Sequence, residues 1–498
     1  MEDLLGLNAP AVEYGIANIP YVKPSRYYLG TSASRSYRRC KRKWGFQSSM
    51  RLGLQRDTEE NINFWFGSAI HFAMEDYFGY NRFGDPRRAF KAYYEAFNVA
   101  ERPEGAAEHY ELGLGMLEYF MQWYPKHNAE LQFKTAWFKR TPIKGTGDFT
   151  YELVPEHTAQ AIPGVEFEMC LDMDIRIIVS AVTGRILGVL KPGTFWIDQV
   201  FDEFKQFDCL YSSVDTVFGC KVDLEDFDRI YEVTSVDNLT SVQVRIQPIC
   251  FHGTCDRILV DKYNRLWILD YKTAKSADTD KLDTDDQISR YCWALEQVIG
   301  KPIYGFIYLQ MTKAVPKEPR ILNSGELSTD KRQKTTHGLY RQAIIKMYGE
   351  VEKAPAKVIE TLNVLAEKET PEGDDFIRWD LVTRSTEQKI STYHHIMAEA
   401  LEMVNMEQYL IPSPTRDCIW DCPFREACLA LDKQDMSAFT AALLDFNPRD
   451  KERSDAPAEF YKRIKWPENV PVGGPTNAEL QISQAEFNVI LPNKNEEE

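Results

Sequence analysis

The sequence has no apolar run long enough to cross a bilayer, and its first residues, MEDLLGLNAP, are acidic where a secretory leader would be basic. Both absences set the expectation of a cytoplasmic protein, or a host-cytoplasmic one if viral, with no membrane partner. Cysteine is sparse, with 10 in 498 residues. In that compartment a disulfide framework is not expected, and metal binding or buried thiols take its place. No G-x-x-x-x-G-K-[ST] phosphate loop occurs, so the chain carries no obvious ATPase motor, and any helicase would be a separate protein. Net positive charge is missing too, the formal value being −16. That excess bears on solubility, whereas a nucleic-acid partner responds to the local field. A hydrophobic content of 44% is ample for a large core, and the length suits two or three domains or one core with insertions.

The stretch that organises the rest is 253 to 272. The apolar run Ile258, Leu259, Val260 is followed by a turn at Tyr263-Asn264 and a second run, Leu266, Trp267, Ile268, Leu269. This predicts a β-hairpin. Asp256 precedes the first run, Asp270 ends the second, and Lys272 follows. Residues two apart on a strand leave on one face, so Asp270 and Lys272 share a side, and pairing lets Asp256 face Asp270. Two carboxylates and an ammonium converging at a strand end can hold a hard divalent cation beside a nucleophilic water. Taken alone the pattern is more often that of surface aspartates and a solvated lysine.

Upstream, 1 to about 30 holds Pro10, Pro20 and Pro24 and reads as an extended arm. Next comes a short helix rich in base: Arg35, Arg38, Arg39, Lys41, Arg42 and Lys43, with Tyr37 and Trp44 interleaved. That composition fits either a nucleic-acid patch or a solvated face. Residues 57 to 80 have helical apolar spacing, with Gly67 and His71 on one face and Glu75 a turn later. A glycine inside a helix costs about 1 kcal/mol against alanine and marks a close approach. Two more helices follow, making the N-terminal third mainly helical. Residues 164 to 180 alternate as a strand with Glu166, Glu168, Asp172 and Asp174 on one parity, read as a solvated face. Between about 181 and 250, including Cys209 and Cys220, an insertion of unknown role is expected. Asp285 and Asp286 then open a helix that carries Gln287 and Tyr291 on one face and ends at Gly300, before another strand. Residues 313 to 335 read as a mobile loop. Helices near 336 to 349 and 354 to 367, a strand from Phe376 and a helix from Thr386 to Met406 complete the pattern. Cys418, Cys422 and Cys428 fall within eleven residues, a density of thiolates that needs a cation and, for zinc or an iron–sulfur cluster, a fourth ligand. The tail beyond about 440 is expected to pack loosely.

The order Gly67-x-x-x-His71, Asp256, Asp270-x-Lys272, Gln287-x-x-x-Tyr291 resembles the RecB-like branch of the PD-(D/E)xK nuclease superfamily. Early Cys40 with the late trio resembles the iron–sulfur members of that branch, among them CRISPR-associated four-cysteine exonucleases and related phage nucleases. The resemblance runs over roughly 31 to 430, with three residues rather than the usual two between Cys418 and Cys422.

It implies an α/β fold, a restriction-endonuclease-like core whose mixed central sheet is flanked by helices, with a helical N-terminal region and a C-terminal iron–sulfur element. The implied division is an arm (1–30), a helical region (31–130), a nuclease core (131–312), its remainder (313–410), a cysteine-rich element (411–435) and a tail (436–498). It implies Asp256 and Asp270 as ligands of Mg²⁺ or Mn²⁺, with His71 as an additional ligand and Glu75 as its supporting partner. Lys272 would position the water, and Gln287 and Tyr291 would position DNA or the lysine. Cys40, Cys418, Cys422 and Cys428 would hold a [4Fe–4S] cluster, with zinc as the alternative. Arg38, Arg39, Lys41 and Arg42 would lie near the DNA path. The function implied is metal-dependent hydrolysis of DNA from free, preferentially single-stranded ends in recombination, repair or replication, beside a separate helicase or recombination protein. The alternative is a catalytically silent nucleic-acid-binding subunit of a helicase–nuclease or CRISPR-adaptation-type complex.

Overall fold

The structure is a computed structural model that describes residues 27–48, 51–56, 61–142, 149–156, 158–182, 186–190, 199–200, 211–213, 216–217, 220–221, 229–234, 241–277, 279–280, 282–404, 409–420, 422–444, 446–448 and 462–467. Most of the expected arm, much of the 181–250 insertion with Cys209, and most of the tail lie outside these residues.

Strand β1 (Tyr27–Gly30) leads into helices α1 (Thr31–Arg39) and α2 (Lys41–Gln47). Cys40 separates the two helices in extended backbone, and its sulfur caps α2 by accepting from Lys43 N. After the short β2 (Leu54–Arg56) come three longer helices: α3 (Ile62–Phe78), α4 (Pro86–Ala96) and α5 (Ala106–Leu131). Asn61 caps α3, while Asp85 caps α4 ahead of a first-turn proline. The sheet strands β3 (Val165–Ser180), β4 (Ile186–Leu190), β5 (Ser241–Val260) and β6 (Leu266–Ala274) follow. Helix α6 (Asp286–Ile299) crosses over to β7 (Ile303–Thr312). Then come α7 (His337–Tyr348), α8 (Ala356–Lys368), β8 (Ile377–Thr383), α9 (Thr386–Val404), α10 (Asp417–Trp420), α11 (Arg425–Asp432), α12 (Met436–Ala442) and β9 (Phe446–Pro448).

The central sheet runs β8-β7-β6-β5-β3-β4, with β1 also paired to β5. Neighbours along that order are antiparallel except β6 and β7, whose parallel pairing needs the α6 crossover. Successive residues of the middle strands point to opposite layers. Ile258, Ile268 and Phe306 pack with Leu295 and Ile396 from α6 and α9. Leu259, Leu269 and Ile307 pack with Phe66, Leu117 and Phe120 from α3 and α5. The mixed sheet is therefore sandwiched between helices, and the helical N-terminal third supplies one whole layer.

Three expectations are corrected. Residues 241–250, expected inside the insertion, form the first half of β5, paired with β3 from Val244↔Ser180 to Ile249↔Ile175. Pro248 and the buried Gln247 broke the apolar pattern that would have marked the strand. The 313–335 loop, expected to be mobile, is tied down by Ser328 N donating to Arg320 O and Lys317 N donating to Lys334 O. Leu327 anchors it in a small core with Tyr340, Ile344 and Leu365. The described parts of the tail are packed too. Strand β9 pairs with β2, Ile464 is buried in the α3–α5 core, and the Arg82 guanidinium lies 3.8 Å from the Trp466 ring centre.

Candidate active site

Strand β5 changes partners at one residue. As far as Cys255 it pairs with β3, and from Arg257 it pairs with β6. Asp256 stands at the changeover, and its Oδ2 accepts from Tyr271 N at 2.6 Å. The hairpin register, Arg257↔Leu269, makes Asp256 and Asp270 neighbours across the pair. On the other side β3 kinks, with Glu166 in left-handed backbone at φ 42°. The kink delivers the Glu166 carboxylate to His71, Oε1 lying 3.8 Å from Nδ1. Asp256 Oδ1 lies 3.5 Å from the same nitrogen. The opposite ring nitrogen, Nε2, is 2.9 Å from the Tyr271 carbonyl. Donation there fixes the tautomer and leaves Nδ1 to face the two carboxylates.

One ligand atom from each of His71, Glu166 and Asp256 lies within 4.8 Å of the others. Two oxygens and one imidazole nitrogen suit a hard divalent cation, and the nitrogen favours Mn²⁺ over Mg²⁺. Glu166, grouped in the sequence with a solvated strand face, thus takes a place in the cluster. Asp270 is set back and buried, with its Oδ2 2.5 Å from Lys272 Nζ.

The electrostatics follow from crowding. Burial raises Asp256 above the usual carboxylate range, although His71 and Lys272 pull the other way. Burial and repulsion from Asp256 push Asp270 up to about 6. Burial works against the charged form of His71, but Asp256 and Glu166 outweigh it and raise the imidazole to about 9. Lys272 is likewise opposed by burial and held above its ordinary value by Asp270 and Asp256. Both cationic side chains therefore keep their protons at neutral pH.

Helix α6 brings Tyr291 over the hairpin. Burial, then the neighbouring Cys255, Asp270 and Asp256, push its phenol up to about 12. Gly253 makes the room: a Cβ there would sit 3.1 Å from Tyr291 Cε1. Gln287, one turn earlier, is part-exposed in the first turn of α6, where its N donates to Asp285 Oδ1.

The basic stretch is set against acids of neighbouring helices. Arg38 pairs with Asp286 and Glu399, and Lys41 Nζ lies 2.9 Å from Glu402 Oε2. Arg42 is buried and donates to Leu410 O, Cys428 Sγ and Asp432 Oδ1. It clamps α2 to α11, while Arg38 and Arg39 are both exposed. A sequence shows the density of base and not the acids that α6 and α9 set against it.

The four cysteines Cys40, Cys418, Cys422 and Cys428 are all free and part-exposed. Several sulfurs receive N–H donors. Ser413 N and Lys43 N point at Cys40, Thr415 N at Cys418, and Arg42 at Cys428. Burial raises Cys422 and Cys428, and both also feel the charge of Cys40.

Among the described residues no helix is long and apolar enough to cross a membrane. A family model described as the PD-(D/E)XK nuclease superfamily matches residues 29–165 and 220–429. No curated protein matches the chain.

Two outcomes are expected. To take a cation through Nδ1, His71 must shed its proton. Mn²⁺ binding at pH 7 should therefore release about one proton, and affinity should climb by up to ~10-fold per pH unit until His71 titrates at about 9. Calorimetry in buffers of different ionisation enthalpy measures this, and binding without proton release would remove His71 from the ligand set. Gly253→Ala should displace Tyr291 and slow cleavage by about 10- to 100-fold, at a stability cost of about 1–2 kcal/mol. Initial rates read beside urea denaturation separate the two effects, and an unchanged rate would deny Tyr291 a positional role.

Proposed function

The chain belongs to the PD-(D/E)XK nuclease superfamily, and from that premise we propose that it is a metal-dependent DNA nuclease acting on DNA ends, preferentially single-stranded, in recombination, repair or replication. One observation carries the reading. His71, Glu166 and Asp256 converge where β5 changes partners, directly beside the Asp270–Lys272 pair.

Nucleases of this superfamily use divalent cations. A cation bound here would lower the pKa of a bound water and polarise the scissile phosphate. In this proposal His71 Nδ1 and the oxygens of Glu166 and Asp256 would hold it, and Asp270 would join them as a further ligand. Protonated Lys272 is suited to offset charge growing on the phosphate oxygens and to orient the water, and unsuited to act as a base. The attacking water would give its proton to solvent as its oxygen bonds to phosphorus, the bond from phosphorus to the leaving oxygen would break, and the leaving oxygen would take a proton from solvent. Tyr291 and Gln287 are assigned to positioning the strand.

The same proposal places a [4Fe–4S] cluster on Cys40, Cys418, Cys422 and Cys428. N–H donors aim at Cys40, Cys418 and Cys428, which suits sulfur ligands, and zinc would use the same residues; no three of the four sulfurs lie within 4.8 Å of one another, the spacing a single zinc would need. The cluster's part is structural, joining α1 and α2 to the element around α10 and α11. The branch with iron–sulfur exonucleases is proposed on this set, and the exposed Arg39 is assigned a place near the DNA path.

Asp270→Ala should cut metal-dependent cleavage by at least about 100-fold and leave DNA binding largely intact. The assay uses end-labelled linear single- and double-stranded DNA and closed circular DNA, each with Mn²⁺, Mg²⁺ or EDTA. Loss of linear DNA alone identifies an exonuclease, and equal cleavage by the variant would overturn the site. Binding without cleavage by the unaltered protein would favour the silent-subunit alternative. Cys428→Ser should lower metal content and thermal stability in anaerobically purified protein. Iron in the unaltered protein supports the cluster, zinc in its place supports the alternative, and an unchanged metal content in the variant excludes Cys428 as a ligand.

A further inference from the structure

Helix α3 presents three consecutive aromatics, and they part company. Trp65 and Phe66 are buried, but Phe64 is 78% exposed. Phe64 precedes His71 by seven residues, two helical turns, so the two lie on one face about 10.5 Å apart along the axis. Between them that face carries only Gly67 and Ser68, part-exposed and exposed. A Cβ on Gly67 would meet only Thr273 Oγ1, at 3.9 Å. The face is thus a low corridor with a bare ring at one end and the carboxylate–imidazole cluster at the other.

Two lysines stand near the start of the same helix. Lys313 N donates to Ala274 O, which sets it just past the C-terminal ends of β6 and β7. Its Nζ is 2.7 Å from Asn63 Oδ1 and 5.2 Å from the Phe66 ring centre. Lys275 is exposed, three residues after Lys272 on the same strand end. Lys313 is pushed below its ordinary value by burial and by repulsion from Lys275. Among the described residues neither ammonium has a carboxylate partner. Two cations close enough to repel, one part-buried, leave room for an anion.

We propose that Phe64 is a base-stacking residue, and that Lys313 and Lys275 hold the adjoining phosphate of the strand whose scissile bond lies at His71 and Asp256. This rests on the nuclease reading above and deepens it. Aromatic faces accept any base, so the contact grips without reading sequence, while lysine contacts set the register of the backbone. An unstacked base fits the ring, so the arrangement favours single-stranded or frayed ends over intact duplex. An exposed ring on a helix whose neighbouring residues Asn63 and Phe66 meet a lysine with no carboxylate partner among the described residues suits a nucleic acid better than an apolar protein face.

The test uses the full-length protein with single-stranded oligonucleotides, each carrying 2-aminopurine or an abasic site at one stepped position. With Ca²⁺ in place of Mn²⁺ to hold the complex uncleaved, the unaltered protein should quench 2-aminopurine at one position and bind the matching abasic strand more weakly. Phe64→Ala should weaken binding by about 5- to 150-fold, the range for one lost stack. It should also abolish that quench and respond no further to the abasic site, while Phe64→Trp restores all three. With Mn²⁺ the loss should fall on KM. Lys275→Ala and Lys313→Ala should each reduce the salt slope of binding by about 1, which Phe64→Ala should not. Because Phe64 is exposed, its melting temperature serves as the folding control. If the unaltered protein binds and cleaves DNA and Phe64→Ala keeps the same affinity and abasic response, the inference is overturned and the nuclease reading stands. If the unaltered protein neither binds nor cleaves DNA, both fall.

Discussion

The structure depends on a crowd of like charges held out of water. Buried Asp256 and Asp270 meet where β5 leaves β3 and takes up β6, with part-exposed Glu166 beside them, and burial makes the repulsion between the two aspartates costly. His71 and Lys272 make the crowd tolerable in the absence of a further cation. A divalent ion would compete with the His71 proton for the same oxygens, so the site's appetite for positive charge is a property of its packing. The surrounding architecture keeps the five groups from relaxing apart. The Tyr271 backbone holds both Asp256 and His71, the kink in β3 delivers Glu166, and the helical layers lock the hairpin from both faces.

Much of this was legible because it is periodic. Two apolar runs about a turn marked the hairpin, the strand period put Asp270 and Lys272 on one side, and helical spacing put His71 on the same helix face as Gly67. What escaped is what periodicity does not encode. Glu166 looked like one of four acids on a wet strand, and only left-handed backbone turns it towards His71. The nearby Pro163-Gly164 pair was the one trace of that break. Gly253 had no visible purpose until Tyr291 was found above it. Arg42 read as one more base in a basic run, yet its partners Leu410, Cys428 and Asp432 lie more than 360 residues away. Charge density is local information, whereas neutralisation is tertiary.

The basic helices and the cysteine-rich element then make one device. Helices α1 and α2 are gripped by acids from α6 and α9, and Arg42 reaches into α11. Phe46 stacks on Phe424, which stacks in turn on Phe446. Protein contacts already hold this junction, so a metal there would tighten it rather than create it. The same clasp braces α6, and with it Tyr291, from the side away from the sheet.

The layer that carries His71 is closed by residues near the other end of the chain. Ile464 is buried among its helices, and Trp466 lies against Phe72 and Arg82. During translation these helices leave the ribosome long before Ile464 and Trp466, which cover part of that surface. A nascent chain therefore has His71 long before the helix bearing it is fully braced, and the finished geometry is a late event in the protein's making. A premature stop would remove a wall of this layer without touching a single group of the charged cluster.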